Sequence, residues 1–361
     1  MPLALTYWVA REPGGTAHIV KSLRRFVSRQ IGILIVVQGV LLFAVLRTAP
    51  GYERTAAAIS LASIPAAIAW QYGLGLLQGQ RRFVAWNMSR LVYPLGYAIT
   101  ISALYLGHVD HLSVVVICWT SLLWLAAGSS LVAARRPLRG GLGPKPNIPG
   151  KRVMLRFGLK ALLGSVSPIQ SFNLDQAIVG LFISPIALGI YVVGVSFTNL
   201  PYFIAQSVGA VAYPNIAAST DRRHLRRTIV ASASAVLILS GMVVVPLEAL
   251  LPWLVPLLFG TAFKASVGIA RVLLLYGVLA GMRRVLGDCA RGAGLPALST
   301  LDELSALLCL VPSMLVLVGH GITGVAWAMV ISASVGLSVV VVGLLLTVFR
   351  EEWSFSASMS K

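Results

Sequence analysis

Ten long, continuously apolar stretches separated by short loops leave this 361-residue chain few folds to choose from. The stretches read as 30–46, 55–77, 87–106, 112–134, 157–182, 186–208, 229–249, 267–286, 301–318 and 322–348. Each is near the 17–25 residues that an α-helix needs to cross a bilayer. Inside a bilayer every backbone polar group must find a partner within the protein, so only helices and closed barrels span it. Barrel strands alternate apolar and polar residues, whereas these runs do not, and an all-α polytopic fold is predicted.

The basic residues give that ladder a direction. All but four of the 29 Lys and Arg residues fall in alternate connections or at the two ends; Arg47, Arg54, Lys264 and Arg271 make up the other set. By the positive-inside rule the basic connections face the cytoplasm, and both termini are expected there. A net charge of +18 would point to nucleic acid in a soluble chain. Here 57% of residues are hydrophobic and 11% charged, and the basic clusters lie between spans, so topology and anionic membrane lipid explain them and nucleic acid is excluded.

Catalytic and metal-binding grammar is missing from the sequence. Cys118, Cys289 and Cys309 are isolated, and His108, Asp110 and His111 read as a solvated turn rather than a metal site. No phosphate-binding loop or acid/base constellation is present, and the loops are too short for a catalytic domain, so no enzyme activity and no cofactor are expected. The basic amino terminus is not followed by the short apolar core and small-residue site of a cleavable signal.

The chain divides at its longest basic connection. The expected organisation is a bundle over 1–134, a Pro/Gly-rich linker over 135–156, a six-helix bundle over 157–350 and a tail over 351–361. A faint repeat crosses the linker. Ser22-Leu-Arg-Arg echoes His224-Leu-Arg-Arg, Leu77-Gln-Gly echoes Ala290-Arg-Gly, and Ala4 to Arg11 echoes Val211 to Ala218. Spans one to four then correspond to spans seven to ten, and the first bundle is expected to lack its opening hairpin. Two units of even helix number would share one membrane orientation.

Polar residues at membrane depth are the candidate site. Lys160, Gly164, Ser167, Ser171 and Asp175 are spaced to share one stripe if 157–182 is a single helix, with Asp175 near the midplane. Asp175 reads as a protonatable or cation-binding carboxylate and coupling candidate, as the partner of a substrate-binding Arg, or as half of a structural pair. Tyr191, Thr198, Tyr202 and Gln206 share a face in the next span, fit for sugar binding or for ordinary helix contacts. Gly277, Gly281, Arg284, Asp288 and Arg291 form a stripe read as close packing plus an Arg284–Asp288 ion pair. Arg271 reads as an anion contact or a headgroup anchor, and Arg90 as a phosphate contact or an interface anchor. Arg24/Arg25, Arg81/Arg82 and Arg226/Arg227 read as topology determinants.

Three motifs in the second half resemble bacterial polysaccharide flippases: Arg156-Phe-Gly-Leu, Asn173-Leu-Asp175 and Leu188-Gly-Ile-Tyr191. The segments Leu76 to Asn87, Leu257 to Ser266 and Cys289 to Thr300 are similar to that family too, so the resemblance runs through nearly the whole chain. The family belongs to the multidrug/oligosaccharidyl-lipid/polysaccharide exporter superfamily. The resemblance implies two helical bundles around a central cavity and alternating access. It also implies an undecaprenyl-diphosphate-linked oligosaccharide as substrate, moved across the cytoplasmic membrane for surface polysaccharide assembly. Lys160 and Asp175 would face the cavity, Arg90 or Arg271 would meet the diphosphate, and polymerase or ligase machinery would be the partner. Family members have 12 or 14 spans, so ten implies a true start further upstream or a truncated copy. Small-molecule export, or a non-transporting role in a glycan assembly complex, are the alternatives.

Overall fold

In the computed structural model the described residues are 2–109, 111–135, 150–165, 173–219 and 221–350; all regular structure among them is helical. Ser167, Ser171, Asp110, most of the linker and the tail after Arg350 lie outside them. The chain forms two compact units, Met1–Arg156 and Phe157–Lys361.

The first unit contains α1 (Pro2–Arg11), α2 (Thr16–Val45), α3 (Gly51–Ser60), α4 (Ser63–Gly79), α5 (Phe83–Leu106) and α6 (Leu112–Arg135). The residues ahead of the first expected span are helical as well. α1 is buried from Ala4 to Ala10 against α4, and Arg24 and Arg25 sit within the 30-residue α2. α1 and α4 run parallel: Thr6 Oγ1 donates to the Gly75 carbonyl at 3.0 Å, and Gly79 lies on Thr6 and Val9. Gly73 meets Ser130, and Gln80 Nε2 donates to the Ala134 carbonyl at 3.2 Å, so α4 and α6 are parallel as well. α5 runs antiparallel beside α6, with Trp119 Nε1 donating to the Tyr93 hydroxyl at 2.6 Å.

The second unit contains α7 (Lys151–Leu163, whose start belongs to the first unit), α8 (Leu174–Phe182), α9 (Pro185–Ser196), α10 (Asn199–Ala217), α11 (Arg222–Phe259), α12 (Ser266–Gly292), α13 (Pro296–Leu317) and α14 (Gly321–Leu344). Two expected single helices are broken. In the span expected over 157–182, α7 ends at Leu163 and α8 begins at Leu174, after Asn173 in the left-handed conformation at φ 45°. Asn tolerates that conformation better than other residues with a Cβ, and a continuous α-helix cannot pass through it. The Lys160-to-Asp175 stripe is therefore not one helical face. The span expected over 186–208 bends by 42° between α9 and α10. Pro201 has no N–H to give the Phe197 carbonyl four residues back, and the turn opens there.

A constant register shows that the bent pair nevertheless acts as one packed rod. Ser266 Oγ donates to the Ile190 carbonyl at 2.8 Å; Gly277 lies on Thr198 and Pro201, Gly281 on Ala205, Gly209 against Asp288, and Gly292 on Tyr213 and Ile216. Both partners advance together along these contacts, so α9–α10 runs parallel to α12 throughout. α13 and α14 instead fold back on each other, from Leu298 against Gly343, through the 2.7 Å bond from Ser332 Oγ to the Ala306 carbonyl, to Leu317 against Gly324.

Five stretches among the described residues are long and apolar enough to cross a membrane, and α9–α10 makes a sixth if the bent pair is one span. One of the five, Pro296–Phe349, is 54 residues long and is the α13–α14 hairpin, which doubles back. α12, which carries Arg271, Arg283, Arg284, Asp288 and Arg291, is not among these stretches. Within the apolar stretches of α2 and α11, side chains such as Ile33, Val40, Phe43, Ile238 and Val245 are exposed, as a hydrocarbon surround allows.

Candidate functional site

Asn173 builds the candidate site by starting α8. Its carbonyl accepts from Ala177 N at 2.9 Å, which sets Asp175 in the first turn of α8, where the helix dipole favours a carboxylate. The turn after α8 is closed by Ser184, whose hydroxyl accepts from Ala187 N at 3.1 Å while Pro185 fills the first helical position of α9. That turn brings α9 back along α8. The Tyr191 hydroxyl then donates to Asp175 Oδ2 at 3.0 Å. Asp175 is 6% exposed and Tyr191 fully buried, so this is an acid held in the interior by an aromatic hydroxyl together with the backbone N–H groups of the first turn of α8.

Beside that pair lies a recess of about 220 Å³. Asn173, Asp175 and Gln176 line it from α8 and its preceding turn, Thr198, Asn199 and Tyr202 from the α9–α10 bend, Tyr276 and Gly277 from α12, and Met329 from α14. Gly277 allows the Thr198 backbone to approach α12, because a Cβ there would already touch Pro201 and Thr198. The recess offers carboxylate, amide and hydroxyl oxygens on one wall and an apolar side chain, Met329, on another, which suits a hydrated cation, a proton and its waters, or one small polar group.

Of the residues singled out from sequence, Asp175, Thr198 and Tyr202 line this recess and Tyr191 lies behind Asp175. Lys160 and Arg271 are exposed and line no part of it. Thr300 Oγ1 donates to the Lys160 carbonyl at 3.0 Å. Arg90 belongs to the first unit, where its guanidinium stacks over the Trp86 ring at 4.5 Å. Ser167 and Ser171 lie outside the described residues. Gln176, Tyr276 and Met329 were not foreseen. Gln176 had a signal, one position beyond the Asn173-Leu-Asp175 motif; Tyr276 and Met329 reach the recess only through the packing of α12 and α14.

A second polar cluster holds α7, α12 and α13 together. Asp288 accepts a hydrogen bond from Arg291 and forms an ion pair with Arg284 at 3.5 Å, so the pair read from sequence is a triad. Arg291 is 1% exposed and also donates to the Gly164 carbonyl at 2.7 Å, while Arg284 donates to the Ser165 carbonyl at 3.1 Å. These two arginines thus bond carbonyls just beyond the end of α7. One turn away Arg283 bonds Asp302 at 2.7 Å and approaches Glu303 at 3.4 Å. All the acids here are matched by arginines, which makes the cluster a brace for the break.

The family described as polysaccharide biosynthesis protein matches residues 74–268. No curated protein matches the chain. Among solved structures, the eukaryotic MATE transporter AtDTX14 is similar with a TM-score of 0.78 at 14% identity, over 99% of this chain and 84% of that one. The Vibrio cholerae MATE transporter VcmN in its bent form gives 0.75 at 11% identity, over 99% and 84%. A MATE protein in the straight conformation gives 0.72 at 14% identity, over 100% and 84%. At such identities the likeness is one of fold.

Proposed function

We propose, from the premise that this chain belongs to the polysaccharide biosynthesis protein family of the multidrug/oligosaccharidyl-lipid/polysaccharide exporter superfamily, that it is a flippase for an undecaprenyl-diphosphate-linked oligosaccharide. The chain is a multi-pass membrane protein of the exporter type. In the proposed cycle the glycolipid moves from the inner to the outer leaflet of a bacterial cytoplasmic membrane by alternating access, with both termini in the cytoplasm. No bond of the substrate is made or broken.

The observation that carries the reading is the buried Asp175–Tyr191 pair beside a polar recess. At roughly 30 Å³ per water molecule, 220 Å³ holds about seven waters, far too little for a glycan. The recess is therefore assigned to coupling: a proton or small cation taken up at Asp175 weakens its bond to Tyr191 and changes how α8 sits against the α9–α10 bend. Thr198 and Tyr202, on the same bend, would transmit that change. Arg90 or Arg271 is retained as a contact for the diphosphate.

The same small volume favours a second reading, export of a small organic cation. Proteoliposomes containing the purified chain separate the two. Time-dependent exposure of a fluorescent lipid-linked oligosaccharide, with no efflux of a cationic dye, is the expected result. Dye efflux without glycolipid movement would replace the first reading by the second.

A further inference from the structure

The basic turn that opens α11 is divided between two tasks. Arg222 bonds the Arg350 carbonyl, and Arg226 donates to the carbonyls of Val348, at 3.1 Å, and Phe349, at 2.8 Å, while stacking on the Phe349 ring. Both therefore fasten α11 to the end of the described chain. The Asp221 carboxylate is occupied as the helix cap, accepting from the N–H groups of Arg223 and His224 at 3.1 and 3.3 Å. His224 and Arg227 point the other way, into an open groove of about 590 Å³ between α10 and α11. Neither side chain has a hydrogen-bond or ion-pair partner among the described residues.

We propose that this groove binds the phosphate of an anionic phospholipid from the cytoplasmic leaflet. The polar end offers a guanidinium, an imidazole N–H and the amide donors of Asn215, while the Thr228 hydroxyl donates to the His224 carbonyl at 2.8 Å, and no acidic residue lines it. One or two turns further along α11, Ala231 and Ala235 leave a shallow apolar channel against Val208 and Val211 of α10. Headgroup donors at one end and small apolar residues at the other match the polarity profile of a lipid. The depth agrees. At about 1.5 Å per residue, the 38 residues of α11 span roughly 57 Å, more than the 40–45 Å of a bilayer with its headgroups, so Arg227 lies at headgroup level and Ala235 in hydrocarbon. Basic pockets between helices on the cytoplasmic side are suited to such headgroups. A single guanidinium with neutral donors matches one phosphate better than a diphosphate, which favours a structural phospholipid over the transported substrate.

The test is native mass spectrometry of the purified full chain in detergent, with dioleoylphosphatidylglycerol or dioleoylphosphatidylcholine added. The wild type should retain phosphatidylglycerol in preference to phosphatidylcholine. Arg227→Gln should lower that occupancy about fivefold, and Ala231→Phe, at an exposed position, should lower it by blocking the channel. Arg223→Gln, adjacent but outside the groove, should leave it unchanged. Should Arg227→Gln fail to fold, the Ala231→Phe and Arg223→Gln arms still decide. Equal loss in Arg223→Gln and Arg227→Gln would reduce the effect to diffuse attraction and overturn the proposal. So would retention of phosphatidylcholine equal to that of phosphatidylglycerol, or replacement of phosphatidylglycerol by equimolar undecaprenyl diphosphate, which would assign the groove to substrate. None of these readouts involves transport, so they stand apart from the flippase reading.

Discussion

In the first unit Gly79 of α4 lies against Thr6 and Val9 of α1; in the second, Gly292 of α12 lies against Tyr213 and Ile216 of α10. The spacing is the same on both helices of both pairs, and a Cβ on either glycine would come within 3.0 Å of a backbone carbonyl and a β-branched Cβ. Four residues earlier the pairs part company. Gly75 faces Pro2 in the first unit, whereas in the second Asp288 stands in place of the glycine and faces Gly209. The small residue has changed sides, and the space it leaves holds a carboxylate. The first unit joins its helices there with one neutral bond, Thr6 to the Gly75 carbonyl. In the second, the Arg284–Asp288–Arg291 triad lies wholly on α12, and its arginines reach past α10 to the end of α7. What is repeated is close packing; what is not repeated is the charge that braces the broken helix beside the recess.

The largest effect that would break this comparison is at Asp288. Asp288→Ala leaves the buried Arg291 and its neighbour Arg284 uncompensated, at a cost of about 3–5 kcal/mol, while an Asp288→Ala/Arg291→Met double variant recovers most of it. Thermal unfolding of the purified protein in detergent reads both, and an undisturbed Asp288→Ala would remove the brace from the account. Next come the shared seams. Gly79→Ala and Gly292→Ala should each cost about 1–3 kcal/mol, and by similar amounts, because backbone lies against both glycines. A loss confined to one of them would mean that the two seams are not equivalent. The smallest effect is expected at Thr6→Val, about 1 kcal/mol, the value of one neutral hydrogen bond. A cost as large as that of Asp288→Ala would erase the distinction between the two units.

The seams were legible because close approach demands glycine at fixed places, and those places recur in the sequence. The echoes of Leu77-Gln-Gly in Ala290-Arg-Gly, and of Ala4 to Arg11 in Val211 to Ala218, fall on the contacting residues themselves. The breaks were not legible. Apolar residues run on through Gly164 and past Thr198, so hydropathy showed two continuous helices where the backbone changes course at Asn173 and before Pro201. For the candidate site, Asp175, Tyr191, Thr198 and Tyr202 could be found because each lies within one apolar span. The hydrogen bond between Asp175 and Tyr191 could not, because it depends on the Ser184 turn. Arg283 with Asp302 escaped for a similar reason: they are 19 residues apart on antiparallel helices, and no periodicity joins them.

The central claim is that Asp175 in the second unit couples transport while the seams only hold the scaffold. The measurement that tests it most directly is the initial rate of lipid-linked oligosaccharide flipping in proteoliposomes, comparing wild type with Asp175→Asn at equal protein density and equal thermal stability. The amide keeps the shape and can still accept from Tyr191, but it cannot take up a proton or balance a cation. A rate lowered roughly tenfold, equivalent to about 1.4 kcal/mol of coupling, is the predicted result. A wild-type rate in the Asp175→Asn protein would contradict it.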